Sequence, residues 1–234
     1  MKTAVIIVAG GSGSRMGTAI SKQFLLLAGK PLLMHTLERF AEALPEAKLI
    51  VVLPFGLQTH WAGLSEKYRF AVQHVVVAGG ATRFHSVLNG LRETDGFDYI
   101  GVHDGVRPLS RPEVIRRTLE AAQDRGAAIP VVSLSDSLRE VMRCGECQGI
   151  SEMIDSKPVD RSRFVAVQTP QFFRSATLKK AYEQEYTPEF TDDASVVEAS
   201  GQAVVLVLGD PANIKVTTPV DLAIAETLIK KGDF

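Results

Sequence analysis

The segment Thr3-Ala4-Val5-Ile6-Ile7-Val8 and its continuation Ala9-Gly10-Gly11-Ser12-Gly13-Ser14-Arg15-Met16-Gly17 decide how this chain is read. Thr3 to Val8 is β-branched and almost wholly apolar, as in a strand covered on both faces, and it empties directly into glycine. Leu33, Leu37, Phe40, Ala41 and Leu44 then recur at helical spacing, and Lys48 to Leu53 reads as a second buried strand ended by Pro54. The alternation predicts helices at 57–68, 82–93 and 111–125 with Pro112 in the first turn, and strands at 72–77, 99–102 and 127–132. Further on it predicts helices at 175–186, 192–200 and 219–231, a strand at 203–208 and a short strand at 214–216. Strands alternating with helices in this way indicate βαβ units: an α/β, Rossmann-like three-layer fold on a mostly parallel twisted sheet. Residues 133–165 break the pattern with charge, glycine and short alternation, and read as a projecting β-arm on a single domain spanning 1–234. Such an arm packs on a second subunit or stands as a surface insertion.

The 234 residues, 45% hydrophobic and 23% charged, are enough for a core that needs no disulfide or metal staple. With 26 Lys+Arg against 27 Asp+Glu the net charge is -1, which gives no electrostatic grip on nucleic acid or on an anionic membrane. The first apolar run reaches only Ala9, short of a membrane helix or a signal peptide, and the sparse use of cysteine fits a reducing cytoplasm.

Three constellations carry chemistry. The first is the glycine loop, with Arg15 and Lys22 supplying the positive charge that a triphosphate requires. It is not a dinucleotide fingerprint, which would need glycine where Met16 stands, nor a P-loop, which would need Gly-Lys-Ser/Thr. The plainer reading is a tight strand-to-helix turn. The second is Val102-His103-Asp104-Gly105-Val106-Arg107-Pro108 at the end of a predicted strand. Ligands of open parallel sheets sit at the carboxyl ends of strands, so Asp104 there can hold Mg²⁺ against phosphate oxygens; alternatively it only forms a turn. Arg107 is either a substrate contact or a structural ion-pair partner. The third lies in the second half: Asp160-Arg161, Gln168-Thr169-Pro170-Gln171-Phe172, Thr191-Asp192-Asp193-Ala194-Ser195 and Asn213-Ile214-Lys215-Val216-Thr217. Arg161, Thr169 and Thr191 are suitable donors for a phosphomonoester and a polyol, although Thr191 alone reads as an N-cap and Lys215 as a solvated charge.

Val8 to Gly17 with Lys22-Gln23-Phe24 resembles the signature loop of the sugar-nucleotide pyrophosphorylases and cytidylyltransferases. The segment His103-Asp104 with Arg107-Pro108, and the third set in the same order, are similar to the 2-C-methyl-D-erythritol 4-phosphate cytidylyltransferase family over nearly the whole chain. The resemblance implies a nucleotidyltransferase that joins CTP to 2-C-methyl-D-erythritol 4-phosphate, releases pyrophosphate, uses Mg²⁺ and serves the non-mevalonate route to isoprenoids. It implies that Ala9, Gly10, Gly11, Gly13, Arg15 and Lys22 wrap CTP, and that the segment Gly80-Ala81-Thr82-Arg83 with Ser86 reads its base, Gly80, Ala81 and Ser86 contacting it. Lys215 would sit by the α-phosphate, making Arg15, Lys22 and Lys215 the catalytic cations. Asp104, Arg107, Ser137, Arg161, Thr169, Thr191 and Lys215 would hold the sugar phosphate. In the family the arm crosses to the partner, so a homodimer is implied, with Ser137 and Arg161 serving the neighbouring chain. The sequence departs from the family at Ser21, where proline is usual, at Ala81, often aspartate, and at Ser137, a threonine. A ribitol 5-phosphate cytidylyltransferase is the nearest rival reading, and a non-catalytic nucleotide-binding regulatory module is a rival of another class. Cys144 and Cys147 have no second pair to complete a zinc site, and the five histidines show no ligand spacing.

Overall fold

The computed structural model describes residues 1–10, 21–141 and 155–232. Gly11, Gly13, Arg15 and the Cys144/Cys147 pair therefore lie outside the described residues. In chain order the elements are β1 (Thr3–Val8), β2 (Leu26–Leu27), β3 (Lys30–Pro31), α1 (Leu32–Ala43), β4 (Lys48–Leu53), α2 (Gln58–Lys67), β5 (Val75–Ala78), α3 (Arg83–Leu91), β6 (Tyr99–Asp104), α4 (Pro112–Arg125) and β7 (Ala127–Ser133). They continue with β8 (Leu138–Val141), β9 (Ser156–Val159), β10 (Val165–Val167), β11 (Gln171–Arg174), α5 (Ser175–Ala181), α6 (Asp193–Ala199), β12 (Val205–Leu208) and α7 (Pro219–Lys230).

The central sheet runs β10-β7-β11-β6-β1-β4-β5, with β12 on β7. β1 pairs in parallel with both β4 and β6, and Val8 stands opposite Asp104. Strand residues are apolar on both faces because both are covered. Val5 and Ile7 point into a layer with Phe40 of α1, Trp61 of α2 and Ile115 of α4, while Ala4 and Ile6 point into a layer with Val87 of α3, Leu178 of α5 and Val197 of α6. The expected three-layer, mostly parallel architecture is therefore present. A third cluster of Leu27, Leu32, Leu109, Val216 and Ala225 seats α7 under the β2–β3 hairpin.

Some elements depart from the sequence expectation. No strand forms at 214–216; its one backbone bond to another part of the sheet region runs from Val216 N to Val106 O (2.9 Å), while Ile214 N turns back to Ala212 O (2.8 Å) among the described residues. The strand expected from 72 begins at Val75, because the Val72 carbonyl is taken by Nδ1 of His74 at 2.7 Å. The helix expected at 175–186 also ends early, at Ala181, whose carbonyl accepts the Gln184 side chain at 2.7 Å.

The antiparallel strands β10 and β11 are the unpredicted part of the sheet. Val167 faces Val131 while Phe172 faces Ala128, so five steps on one strand match three on β7 and leave a two-residue bulge. Gln168 N still bonds Pro130 O at 2.8 Å, and Thr169 and Pro170 are the two extra residues, next to the end of β6. Phe172 in turn lies over Gly101, where an added Cβ would stand 2.4 Å from the ring, so this cross-strand pair requires glycine. Within 133–165, β8 and β9 pair as a two-stranded antiparallel ribbon apart from the main sheet.

His35 on α1 ties the helix to the hairpin by donating Nε2–H to the Leu27 carbonyl at 2.7 Å. Burial lowers its pKa, against an upward pull from that bond, so it is held neutral. A lowered histidine contributes stability that is full above its unfolded pKa and is lost as pH falls below about 6.5. His35→Gln keeps an amide donor and removes the titration. Unfolding free energies from urea titrations between pH 7.5 and 5 should fall less steeply in the variant, by up to about 1.4 kcal/mol per pH unit; identical slopes would assign the acid sensitivity elsewhere.

Candidate active site

The chain leaves β1 toward β4 and leaves β6 toward β7, so the strand order reverses between β1 and β6. In open sheets this is where a crevice opens at the carboxyl ends. The cleft there has a volume of about 330 Å³ and is bordered by Ala9 and Gly10 after β1, Lys22, the Gly80–Ser86 segment, Asp104, Lys215 and Thr217. Its floor extends the sheet ladder beyond the strands, through Ala9 N to Val52 O (2.9 Å), Gly105 N to Val8 O (2.8 Å) and Gly79 N to Leu53 O (2.7 Å).

Asp104 is the charged centre. Its Oδ2 is 3.0 Å from Lys215 Nζ and 3.3 Å from Arg107 Nε, and its Oδ1 is 3.7 Å from Arg83 Nε. Burial alone would raise its pKa, but Arg83, Lys215 and Arg107 outweigh it and hold the carboxyl well below the usual carboxylate range. The backbone beneath is equally fixed. Asp104 N–H donates to Thr169 Oγ at 3.1 Å, and Thr169 Oγ lies 3.0 Å from His103 Nδ1. His103 Nε2 faces the Arg107 carbonyl at 3.3 Å, an atom that can only accept, so Nε2 carries the proton and Thr169 donates to Nδ1. Burial pushes the His103 pKa down to about 3, which keeps this tautomer neutral.

Arg83 belongs to the segment expected to read the base, but sequence reasoning assigned it no ion-pair role. Beyond Asp104 it forms a bidentate pair with Asp193, at 3.0 and 2.6 Å, and Asp193 also accepts the Tyr182 hydroxyl at 2.6 Å. Asp193 is 0% exposed. The available signal was electrostatic: an arginine in the first turn of an apolar helix opposes the helix dipole and implies carboxylates nearby.

A second set of amides locks the Lys215 segment. Asn213 is buried, donating to Thr169 O (2.9 Å) and accepting from Ser110 (2.8 Å), while its carbonyl accepts from Arg107 at 2.8 Å. Gln168 donates to Asp210 O at 2.8 Å, and Gln171 joins Asp192 (2.8 Å) to Ala194 N (2.9 Å). Sequence reasoning quoted these residues without giving them roles.

Of the expected site residues, the structure gathers Ala9, Gly10, Lys22, Gly80, Ala81, Ser86, Asp104 and Lys215 around one cleft. Ser86 accepts from Gly80 N (3.1 Å) and donates to Thr82 O (2.9 Å), so its hydroxyl shapes the loop on which Gly80 and Ala81 sit. A Cβ on Gly80 would lie 2.4 Å from that of His85, so only glycine fits. Thr169 and Arg107 stand behind Asp104 rather than on the cleft wall, with their donors engaged as above. Thr191 is exposed beside Asp192, which is the N-cap of α6 in a capping box with Ser195. Ser137 and Arg161 lie on the arm, both exposed, with Arg161 donating to the Ser135 carbonyl. No cluster of three or more acidic, histidine or cysteine side chains occurs among the described residues, nor does any described helix have the length and apolarity to cross a membrane.

The Arg83–Asp193–Tyr182 chain is testable by stability. Asp193→Asn should cost about 3 to 5 kcal/mol in urea unfolding, because it removes the fully buried, bidentate carboxylate partner of Arg83 and leaves it only the longer contact with Asp104. Tyr182→Phe should cost only about 1 to 2 kcal/mol. Equal costs would mean that the hydroxyl and the guanidinium share Asp193 evenly.

Comparison with known proteins agrees with this geometry. The family model described as IspD, 2-C-methyl-D-erythritol 4-phosphate cytidylyltransferase, matches residues 3–231. The enzyme of that name from Phocaeicola vulgatus is 50% identical over 98% of this chain and 100% of its own. The crystal structure of the Thermus thermophilus enzyme superposes with a TM-score of 0.76 at 34% identity, covering 98% of this chain and 100% of that one. The Francisella tularensis enzyme gives 0.78 at 30% identity, covering 97% and 99%. The chain is therefore a nucleotidyltransferase that belongs to the 2-C-methyl-D-erythritol 4-phosphate cytidylyltransferase family.

Proposed function

We infer that the enzyme carries out its family's reaction, transfer of CMP from CTP to 2-C-methyl-D-erythritol 4-phosphate with release of pyrophosphate, in the cleft around Asp104. The observation that supports this placement is that Lys22 and Lys215, far apart in sequence, border one cleft with an ionised Asp104. A phosphate oxygen of the sugar phosphate attacks the α-phosphorus in line. The bond to the bridging oxygen breaks, and pyrophosphate leaves with the electron pair. The attacking monoester is already ionised near neutral pH, so positioning and charge stabilisation suffice and no general base is needed. Lys22, Lys215 and Arg15 supply that positive charge, and Gly80 and Ala81 offer backbone groups to the base on the loop that Ser86 shapes.

The donor set fits Mg²⁺ in a particular way. One ionised carboxylate at the mouth of β6, without further acidic groups clustered beside it among the described residues, suits a cation that keeps its waters and arrives on the triphosphate. Asp104 would hold it, and the ion would neutralise phosphate charge. Arg107 and Thr169 act through Asp104, and Thr191 contacts the polyol from the edge of α6. On the family resemblance, Ser137 and Arg161 would serve a homodimer in which the β8–β9 arm, within 133–165, reaches a partner's cleft. Matches of one named activity along nearly the whole chain favour the methylerythritol substrate over ribitol 5-phosphate and over a non-catalytic module.

Pyrophosphate release should occur with CTP, Mg²⁺ and 2-C-methyl-D-erythritol 4-phosphate and not with ribitol 5-phosphate; turnover with ribitol phosphate alone would overturn the substrate assignment. Lys22→Ala or Lys215→Ala should lower kcat by about 10² to 10³ while changing KM less. A pure KM effect would reduce these lysines to ground-state binding.

A further inference from the structure

Among the described residues, the side-chain amide nitrogen of Gln23 is buried without a hydrogen-bond partner. Gln23 borders the nucleotide cleft and is 1% exposed. The ring that follows it anchors its turn, Lys22–Phe24. Phe24 stacks on Trp61 with ring centroids 6.0 Å apart and meets His60 edge-on at 5.0 Å. Trp61 in turn donates Nε1–H to His74 Nε2 at 2.9 Å. A buried amide donor left unpaired is destabilising, because it has given up water for nothing. Arg39 Nε, Ser65 Oγ and Arg117 Nε are also unpaired, but they do not border the cleft, and each arginine bonds through another guanidinium nitrogen.

We propose that Gln23 is a further nucleotide-contacting residue, whose amide N–H donates to an acceptor oxygen of bound CTP. This rests on the nucleotide reading of the cleft. The acceptor is a phosphate oxygen or the carbonyl oxygen of the pyrimidine; both present the lone pair that the amide lacks. The protein thus holds an unpaired donor that the nucleotide satisfies on binding, an affinity device that costs stability in the free enzyme.

The test compares the full chain with Gln23→Met, which keeps length and removes the donor, and Gln23→Glu, which keeps shape and replaces the donor with an acceptor. CTP affinity is titrated with Mg²⁺, and the thermal midpoint is measured without nucleotide. For Gln23→Met we expect a midpoint at or above that of the wild type, together with about tenfold weaker CTP binding. Gln23→Glu should bind CTP more weakly still, and it carries the test if the methionine variant does not fold. KM for the sugar phosphate should stay unchanged. Repeating the titration with inorganic tripolyphosphate and with cytidine locates the acceptor: a loss shared with tripolyphosphate places it on the phosphates, and one shared with cytidine on the base. Wild-type affinity for CTP in both variants, beside a wild type that binds CTP, would overturn the proposal alone. A wild type that fails to bind CTP would overturn the nucleotide reading and the proposal with it.

Discussion

The ionised carboxylate of Asp104 is the constraint on which the site depends. A carboxylate at the buried end of a central strand is strongly destabilising unless it is paired. Three cations meet the need, and they come from the first turn of α3, the turn after β6 and the segment before α7. Each must itself be held. Asp193 and Tyr182 hold Arg83, the Asn213 carbonyl holds Arg107, and the amide network of Gln168 and Asn213 holds the chain that carries Lys215. The polar interior of this half of the molecule is therefore one connected system, in which the carboxylate of the site and the fold of the C-terminal segment stabilise each other.

The bulge between β10 and β11 makes that connection possible. An uninterrupted antiparallel strand along β7 would alternate its side chains between two apolar layers. Two extra residues instead let Thr169 reach back to Asp104 and His103 while Gln168 reaches out to the Asp210–Asn213 turn. The same local irregularity that ends one pairing begins the site.

Most of the layered architecture was legible in the sequence because both faces of its parallel strands are covered. Such strands read as continuous apolar runs between amphipathic helices, and Thr3 to Val8, Lys48 to Leu53 and Tyr99 onward could hardly be read otherwise. β10 and β11 were not legible: each is short, and the polar residues of the bulge separate them. Residues 214–216 misled for the opposite reason. Ile214 and Val216 mimic a strand, but they pack into the small cluster under α7 and gain no ladder. Around the cleft, Gly10, Lys22 and Asp104 stood out by residue type and by their place after apolar strands, whereas Lys215 alone read as a solvated charge and gained a role only through the family resemblance. The ion pairs of Arg83 did not stand out, because its partners Asp104 and Asp193 lie 21 and 110 positions away in sequence and meet it only when α3 and α6 cover the same face of the sheet.

The three cations on Asp104 are not equivalent, and the difference bears on how the site can accept a triphosphate. Arg83 is locked by a buried carboxylate, and Arg107 by a backbone carbonyl and by its burial. Lys215 pairs with Asp104 through a side chain that is 45% exposed. Its contact with Asp104 can be replaced by solvent or by phosphate at little cost, whereas displacing either arginine would strand a buried charge. Lys215 is thus the partner that can turn from Asp104 to an incoming phosphate while the two guanidinium groups keep the carboxylate ionised. Counted with Lys22, the described charges of the cleft leave a net positive site around a single negative centre. That balance suits the magnesium complex of a nucleoside triphosphate, which remains an anion yet carries a cation for the carboxylate to meet.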